Sequence, residues 1–189
     1  EQCGNGIRCL GLYLLRHGRV GPEPFVLDGP AGPVGVEQVS GDRFRVDMGV
    51  PVLAPSAIPF EADRQGPVYE LEAAGVPLQA SVVSMGNPHV VIAVDDVDAA
   101  DVAAIGPALD GHERLPRGAN AGFMEVIDAG HVRLRVHERG AGETSACGSG
   151  ACAAVVAGRL RGLLDERVTV SLPGGDLVIK WSGEGERVW

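Results

Sequence analysis

The sequence predicts a mixed α/β (α+β) fold of two topologically similar halves, each turning through glycines into a helix. Three observations predict it. Short Val-rich segments are punctuated by Gly and Pro, and only two segments carry a strong helical period. Both helical segments are entered through Cys-Gly-x-Gly, as Cys3-Gly4-Asn5-Gly6 and Cys147-Gly148-Ser149-Gly150, with the cysteines 144 residues apart.

In chain order, the first helix is expected after Gly6, with Ile7, Leu10, Leu14 and Leu15 on one face and an end near Gly18. Residues 21–35 repeat Gly and Pro and read as a loop or linker. Residues 43–48 alternate, with Phe44, Val46 and Met48 on one face. Residues 81–85 and 90–94 read as strands flanking Gly86-Asn87-Pro88-His89, and residues 98–105 as a short peripheral helix. Two hairpins follow, 123–127 with 132–136 and 168–172 with 177–181. Between them a helix is expected from Ala151 to about Leu164, and its many small residues predict burial on nearly all sides.

A chain of 189 residues that is 45% hydrophobic can bury one good core or two small ones. Its 16 basic residues against 25 acidic ones, a formal net charge of −9, argue against nucleic acid, whose binders need a basic face. No stretch approaches the ~18 consecutive apolar residues of a membrane span, and a cytoplasmic location is the default expectation. Four cysteines are too few for a disulfide framework and read as thiols, ligands or catalysts. The single lysine, Lys180, lies in a hairpin strand and is a poor Schiff-base candidate, so amino-acid chemistry here is expected to run without pyridoxal phosphate.

A cysteine at a helix start lies in the positive field of the helix, which lowers a thiol pKa from roughly 8.5 and favours thiolate. The glycines beside it let backbone N–H groups approach a ligand, and the orphan donors of a helix start suit a carboxylate. Two such starts facing each other could hold one α-carboxylate with a sulfur on each side of the adjacent carbon. That arrangement fits inversion at carbon, in which one thiolate takes a proton from one face and the other thiol returns one to the opposite face.

Competing readings exist. Either motif alone is an ordinary glycine-rich turn, and Cys9 and Cys152, inside helical patterns, read as buried structural thiols. A zinc site built from Cys3, Cys9, Cys147, Cys152 and His89 is the chief chemical competitor, although the Cys-x5-Cys and Cys-x4-Cys spacings are wider than most structural sites use. A non-catalytic binding protein is the reading from another functional class.

The segment Cys3-Gly4-Asn5-Gly6-Ile7-Arg8-Cys9 resembles the first active-site motif of the diaminopimelate epimerases, and the run from His137 through Cys147 to Gly150 resembles the second. Gly86-Asn87-Pro88-His89 is similar to a third motif of that family, and Asn120 lies where the family has a substrate-contacting asparagine. The resemblance implies two pseudo-symmetric domains, each a β-barrel-like sheet around a central helix, with the active site in the cleft between them. It implies interconversion of LL- and meso-diaminopimelate in lysine and peptidoglycan precursor synthesis, without cofactor or metal, by a cytoplasmic homodimer. A racemase of another amino acid on the same scaffold is the alternative.

By the same resemblance, Cys3 and Cys147 are the acid/base pair, and backbone N–H groups of Gly4, Asn5, Gly148 and Ser149 hold the reacting carboxylate. Asn87, Asn120 and Arg139 bind the distal groups, while Glu138 and a supporting His89 lie beside the thiols and the reacting amine. Residues 1–47 are expected to be a remnant of the N-terminal domain, 48–182 the C-terminal domain, and 183–189 the start of a return segment. The first domain is therefore expected to be incomplete.

Overall fold

The computed structural model describes residues 3–29 and 32–189. Both cysteine-led turns start helices, α1 (Gly4–Arg16) and α3 (Gly148–Leu160), each earlier than the apolar period suggests. The cause is capping. Cys3 and Cys147 are the N-caps, and their sulfurs accept hydrogen bonds from the N–H groups of Gly6 and Gly150, each at 3.4 Å. A sulfur thus takes the part that a serine or aspartate oxygen usually plays, and the helix begins at the first glycine.

The stretch 21–35 is not the expected linker. It folds into β1 (Phe25–Gly29) and the start of β2 (Gly32–Ser40), which with β3 (Arg43–Val46) form an antiparallel three-stranded sheet. Residues 30 and 31, between β1 and β2, lie outside the described residues. Apolar side chains override the Gly and Pro content: Val34 and Val36 are buried, and Phe25 and Phe44 join Val36 beneath α1. At Gly11 the helix presses on this sheet, where a Cβ would lie 3.3 Å from Val36 and 3.4 Å from Phe44.

The second sheet runs in the order β11-β10-β8-β7-β6-β5-β4, with β9 beside the end of β8. Its strands are β4 (Tyr69–Ala73), β5 (Val76–Ser84), β6 (Pro88–Val94), β7 (Asn120–Asp128), β8 (His131–Glu138), β9 (Gly142–Thr144), β10 (Arg167–Leu172) and β11 (Gly175–Lys180). The expected hairpins are β7–β8 and β10–β11, and the two expected strands around Asn87 are β5 and β6. Strand β4 was not anticipated from the sequence. It alternates Tyr69, Leu71 and Ala73 with Glu70 and Glu72, and the left-handed Ala74 and Gly75 (φ 54° and 74°) turn it into β5.

Two pairs in this sheet are parallel, and each is joined through a helix: β6 to β7 through α2 (Val102–Asp110), and β8 to β10 through α3. Both crossovers step the same way along the sheet, yet β7 and β8 are antiparallel, so a common right hand places their helices on opposite faces. The side chains agree. Val91, Met124, Leu134 and Val136 share a core with α3, whereas Val90, Ile92, Ala121 and Phe123 share another with Val102 and Leu109 of α2. Helix α2 starts later than expected because Asp98 is engaged by Arg133 and Asp101 supplies the cap, accepting from the Ala104 N–H at 3.1 Å.

The sheet curls around α3, in which every residue from Ser149 to Gly158 is buried. At one margin the backbone of Trp189 exchanges two hydrogen bonds with Lys180 of β11, while Val188 does the same with Met48 and Gly49. At the other margin the guanidinium of Arg114 donates to the carbonyls of Glu61 (2.7 Å) and Glu70 (3.0 Å).

Candidate active site

The two cysteine caps are near copies. Cys3 has φ −112° and ψ 98°, and Cys147 has φ −126° and ψ 108°, so each backbone is extended before a 13-residue helix and each sulfur hangs over its first turn. The helix starts also touch. A Cβ placed on Gly148 would lie 3.6 Å from the Gly4 Cα and 3.8 Å from the Asn5 nitrogen, and one on Gly4 would lie 3.2 Å from the Met48 sulfur. Glycine at both positions lets two helix N-termini come together, which concentrates two sets of orphan N–H donors and two positive helix ends at one place. Anions are favoured there.

A row of polar side chains lines the mouth of the large sheet on the face that α3 covers. His89 on β6 is in register with Asn120 on β7. Glu138 on β8 lies one step beyond the Ala121–His137 pair, which brings it level with Asn120. The Nε2 of His89 is 3.1 Å from the Asn87 Oδ1 and 3.5 Å from the Asn120 Nδ2. The Asn120 Oδ1 accepts from the Arg139 N–H at 2.8 Å, which fixes the orientation of that amide. Thr144 on β9 donates its hydroxyl proton to Glu138 at 2.5 Å.

Electrostatics separate these groups. Burial pushes the Cys147 thiol up to about 11, with the nearby Glu138 carboxylate adding to the rise and hydrogen bonds from Ser149 and Gly150 opposing it. The helix start alone therefore does not deliver a resting thiolate at Cys147, contrary to the expectation from the dipole. Desolvation wins because the sulfur is almost wholly enclosed. Burial likewise pushes His89 down to about 3, so its imidazole is neutral.

The residues expected to make the site fall into two groups. Cys3, Gly4 and Asn5 lie at the start of α1 against Gly148 and Ala146, while Cys147, Ser149, Glu138, Asn120, His89 and Asn87 cluster at the mouth of the large sheet. The Arg139 side chain donates to the Arg117 carbonyl at 2.5 Å. Cys152 is buried as expected, but Cys9 is exposed on α1 rather than enclosed. Among the described residues no group of three or more His, Cys, Asp or Glu side chains is placed to share a metal ion.

Three participants were missed. Thr144 orients Glu138, and Met48 lies under Gly4. Gly174, in the β10–β11 turn, donates its N–H to the Ser145 carbonyl at 2.7 Å just before Cys147. Thr144 belongs to the same motif as Cys147 and was within reach of sequence reasoning. Met48 and Gly174 are brought in only by the fold.

The model of the family described as diaminopimelate epimerase matches residues 81–189. Over its full length the chain is 54% identical to the diaminopimelate epimerase of Alkalilimnicola ehrlichii, and over 98% of its length it is 50% identical to that of Thioalkalivibrio sulfidiphilus. It spans 68% and 67% of those two proteins. In structure it is similar to a hydroxyproline epimerase from Agrobacterium vitis, with a TM-score of 0.65 at 18% identity over 95% of this chain and 60% of the other. That likeness is one of fold. Sequence identity at this level across the whole chain, with both cysteine-capped helix starts in place, makes it a member of the diaminopimelate epimerase family of isomerases.

Proposed function

We propose that Cys3 and Cys147 interconvert LL- and meso-diaminopimelate by moving a proton between the two faces of one Cα, without a cofactor. The observation that carries this reading is the contact between two congruent, sulfur-capped helix starts. The α-carboxylate would lie on the N–H groups of Gly4, Asn5, Gly148 and Ser149, where negative charge grows as Cα loses its proton. One thiolate forms an S–H bond as the Cα–H bond breaks, and the electron pair passes into the carboxylate-stabilised carbanion. The opposite S–H then protonates the other face, and its sulfur is left as thiolate.

Cys147, held at about 11, rests in the form that delivers a proton. When it acts as the base, the Gly150 N–H and the Ser149 hydroxyl stabilise its thiolate. Glu138 offers an anion to the substrate ammonium group. Asn87, Asn120 and Arg139 would face the distal end, and His89, neutral and buried, donates from Nε2 to the Asn87 Oδ1 at 3.1 Å. In this reading residues 1–47 and 48–182 belong to separate halves of the enzyme, 183–189 return toward the first, and the protein works as a cytoplasmic homodimer in lysine biosynthesis.

Incubation of the full-length protein with LL-diaminopimelate in D₂O, followed by NMR, tests the proposal. Appearance of the meso isomer carrying deuterium at Cα is expected. Turnover of a different amino acid in its place would move the chain to another racemase, and zinc in the purified protein with loss of activity on chelation would remove the thiol mechanism.

A further inference from the structure

We infer that the Asn5 side chain is a positioning strut that sets the gap between the two thiols, a role separate from the carboxylate contact of its backbone N–H. The inference rests on the two-thiol reading. The Asn5 Nδ2 donates to the carbonyl of Ala146, the residue immediately before Cys147, at 3.1 Å and across 141 residues of sequence. Among the described residues this is the only side-chain hydrogen bond from α1 to the unit built on the large sheet.

The amide has only one useful orientation. Its Oδ1 accepts from the Arg8 guanidinium one helical turn along, which leaves Nδ2 to face the Ala146 carbonyl. Arg8 is half-buried on α1, close enough to Cys152 of α3 for its charge to be felt there. On its other side the segment before Cys147 is anchored, since Gly174 donates to the Ser145 carbonyl. The space left for the strut is narrow. A Cβ on Gly148 would be 3.6 Å from the Asn5 Oδ1, within ordinary contact.

Apart from the Gly4–Gly148 approach and Ile7 against the α3 core, little holds the Cys3 helix in register with the Cys147 helix. Only Gly4 and Gly11 of α1 are buried, and Leu10 and Tyr13 are 44% and 56% exposed. Without the strut, α1 can shift on its small sheet and carry Cys3 with it. A base displaced by about 1 Å can cost on the order of a hundredfold in rate. Inversion needs both sulfurs at a fixed separation across one carbon, whereas exchange of the α-hydrogen on one face needs only one sulfur near it. Loss of the strut therefore uncouples the two events.

The test measures, in D₂O and on the full-length enzyme, the rate of inversion and the rate at which deuterium enters the unreacted epimer. In Asn5→Ala, which keeps the backbone N–H, the ratio of exchange to inversion should rise at least about tenfold. Asn5→Asp keeps the size and the Arg8 partner but has no N–H for the Ala146 carbonyl, so it should show the same rise and carries the test should Asn5→Ala fail to fold. Leu10→Ala, on the exposed face of α1, should leave the ratio unchanged. A fall of both rates in step, with the ratio of the parent enzyme, would overturn the strut. A parent enzyme that neither exchanges nor inverts would instead overturn the epimerase reading on which the strut rests.

Discussion

Helices α1 and α3 have the same length, the same sulfur cap and the same glycine-rich entrance, but one is half-exposed and the other is enclosed from Ser149 to Gly158. The difference lies in what surrounds them. Helix α3 is wrapped by strands of a sheet that curls past it on several sides, whereas α1 rests on three strands with Val36, Phe25 and Phe44 beneath Gly11. Two thiols delivered by one motif therefore meet different dielectrics. A helix start sets where a sulfur points, and the surrounding wall sets how readily it ionises.

Replacing either sulfur should give the largest effect. Cys3→Ala and Cys147→Ala should each reduce inversion by roughly 10²–10⁴-fold, with one-face exchange surviving better than inversion, as read by NMR in D₂O. Normal turnover by either variant would end the two-base reading.

Alkylation should expose the asymmetry next. With iodoacetamide at pH 8, the exposed Cys3 should be labelled before the buried Cys147. A thiol held at about 11 should react on the order of a hundredfold more slowly than a free cysteine of pKa about 8.5, and faster as the pH rises. Peptide mass spectrometry over a pH series reads both rates, and equal labelling would remove the contrast.

The buried row beside α3 carries a pH signature of its own. His89 titrates near 3 in the folded protein and near 6.5 when unfolded, so between those values the unfolded chain binds the extra proton. Its contribution is complete above pH 6.5 and is lost as pH falls toward 3, by about 2 kcal/mol at pH 5. Urea unfolding from pH 7 to 5 should show that loss in the parent protein and a flatter profile in His89→Gln.

The smallest effect compares the helices as packing elements. Val156 is fully buried in α3, and Val156→Ala should cost about 2 kcal/mol, whereas Leu10→Ala on α1 should fall within about 0.5 kcal/mol. Denaturant midpoints decide it, and equal costs would show α1 to be as enclosed as α3 in solution.

Much of this was legible in local sequence. The small residues of 151–158 announced a helix enclosed on all sides, and the hairpins at 128–131 and 173–176 were marked by their Gly, Asp and Pro. The cysteine-led helix starts were foreseen but placed about a turn too late, because the first glycines lie outside the apolar period that marks a helix. Residues 21–35 misled for the opposite reason. Their Gly and Pro signal a loop locally, and only the fold supplies partners: α1 lies over Val36 and Phe25, while Val34 joins the core around α3. Motif spacing brought Glu138 and Cys147 together. The Asn5 link to Ala146 and the Gly174 link to Ser145 left no trace in any local pattern, since each joins backbone to a distant part of the chain.

The margins of the large sheet bear on how the protein behaves at high concentration. An open strand offers unpaired N–H and C=O groups to any neighbour, which is the usual route to strand-by-strand aggregation. Here Trp189 already occupies part of β11, and at β4 the Arg114 guanidinium takes the Glu70 carbonyl while Glu70 and Glu72 present negative charge outward. A second copy approaching edge-on finds one margin partly filled and the other repulsive. This leaves a Val-rich eight-stranded sheet with few ways to grow beyond its own chain.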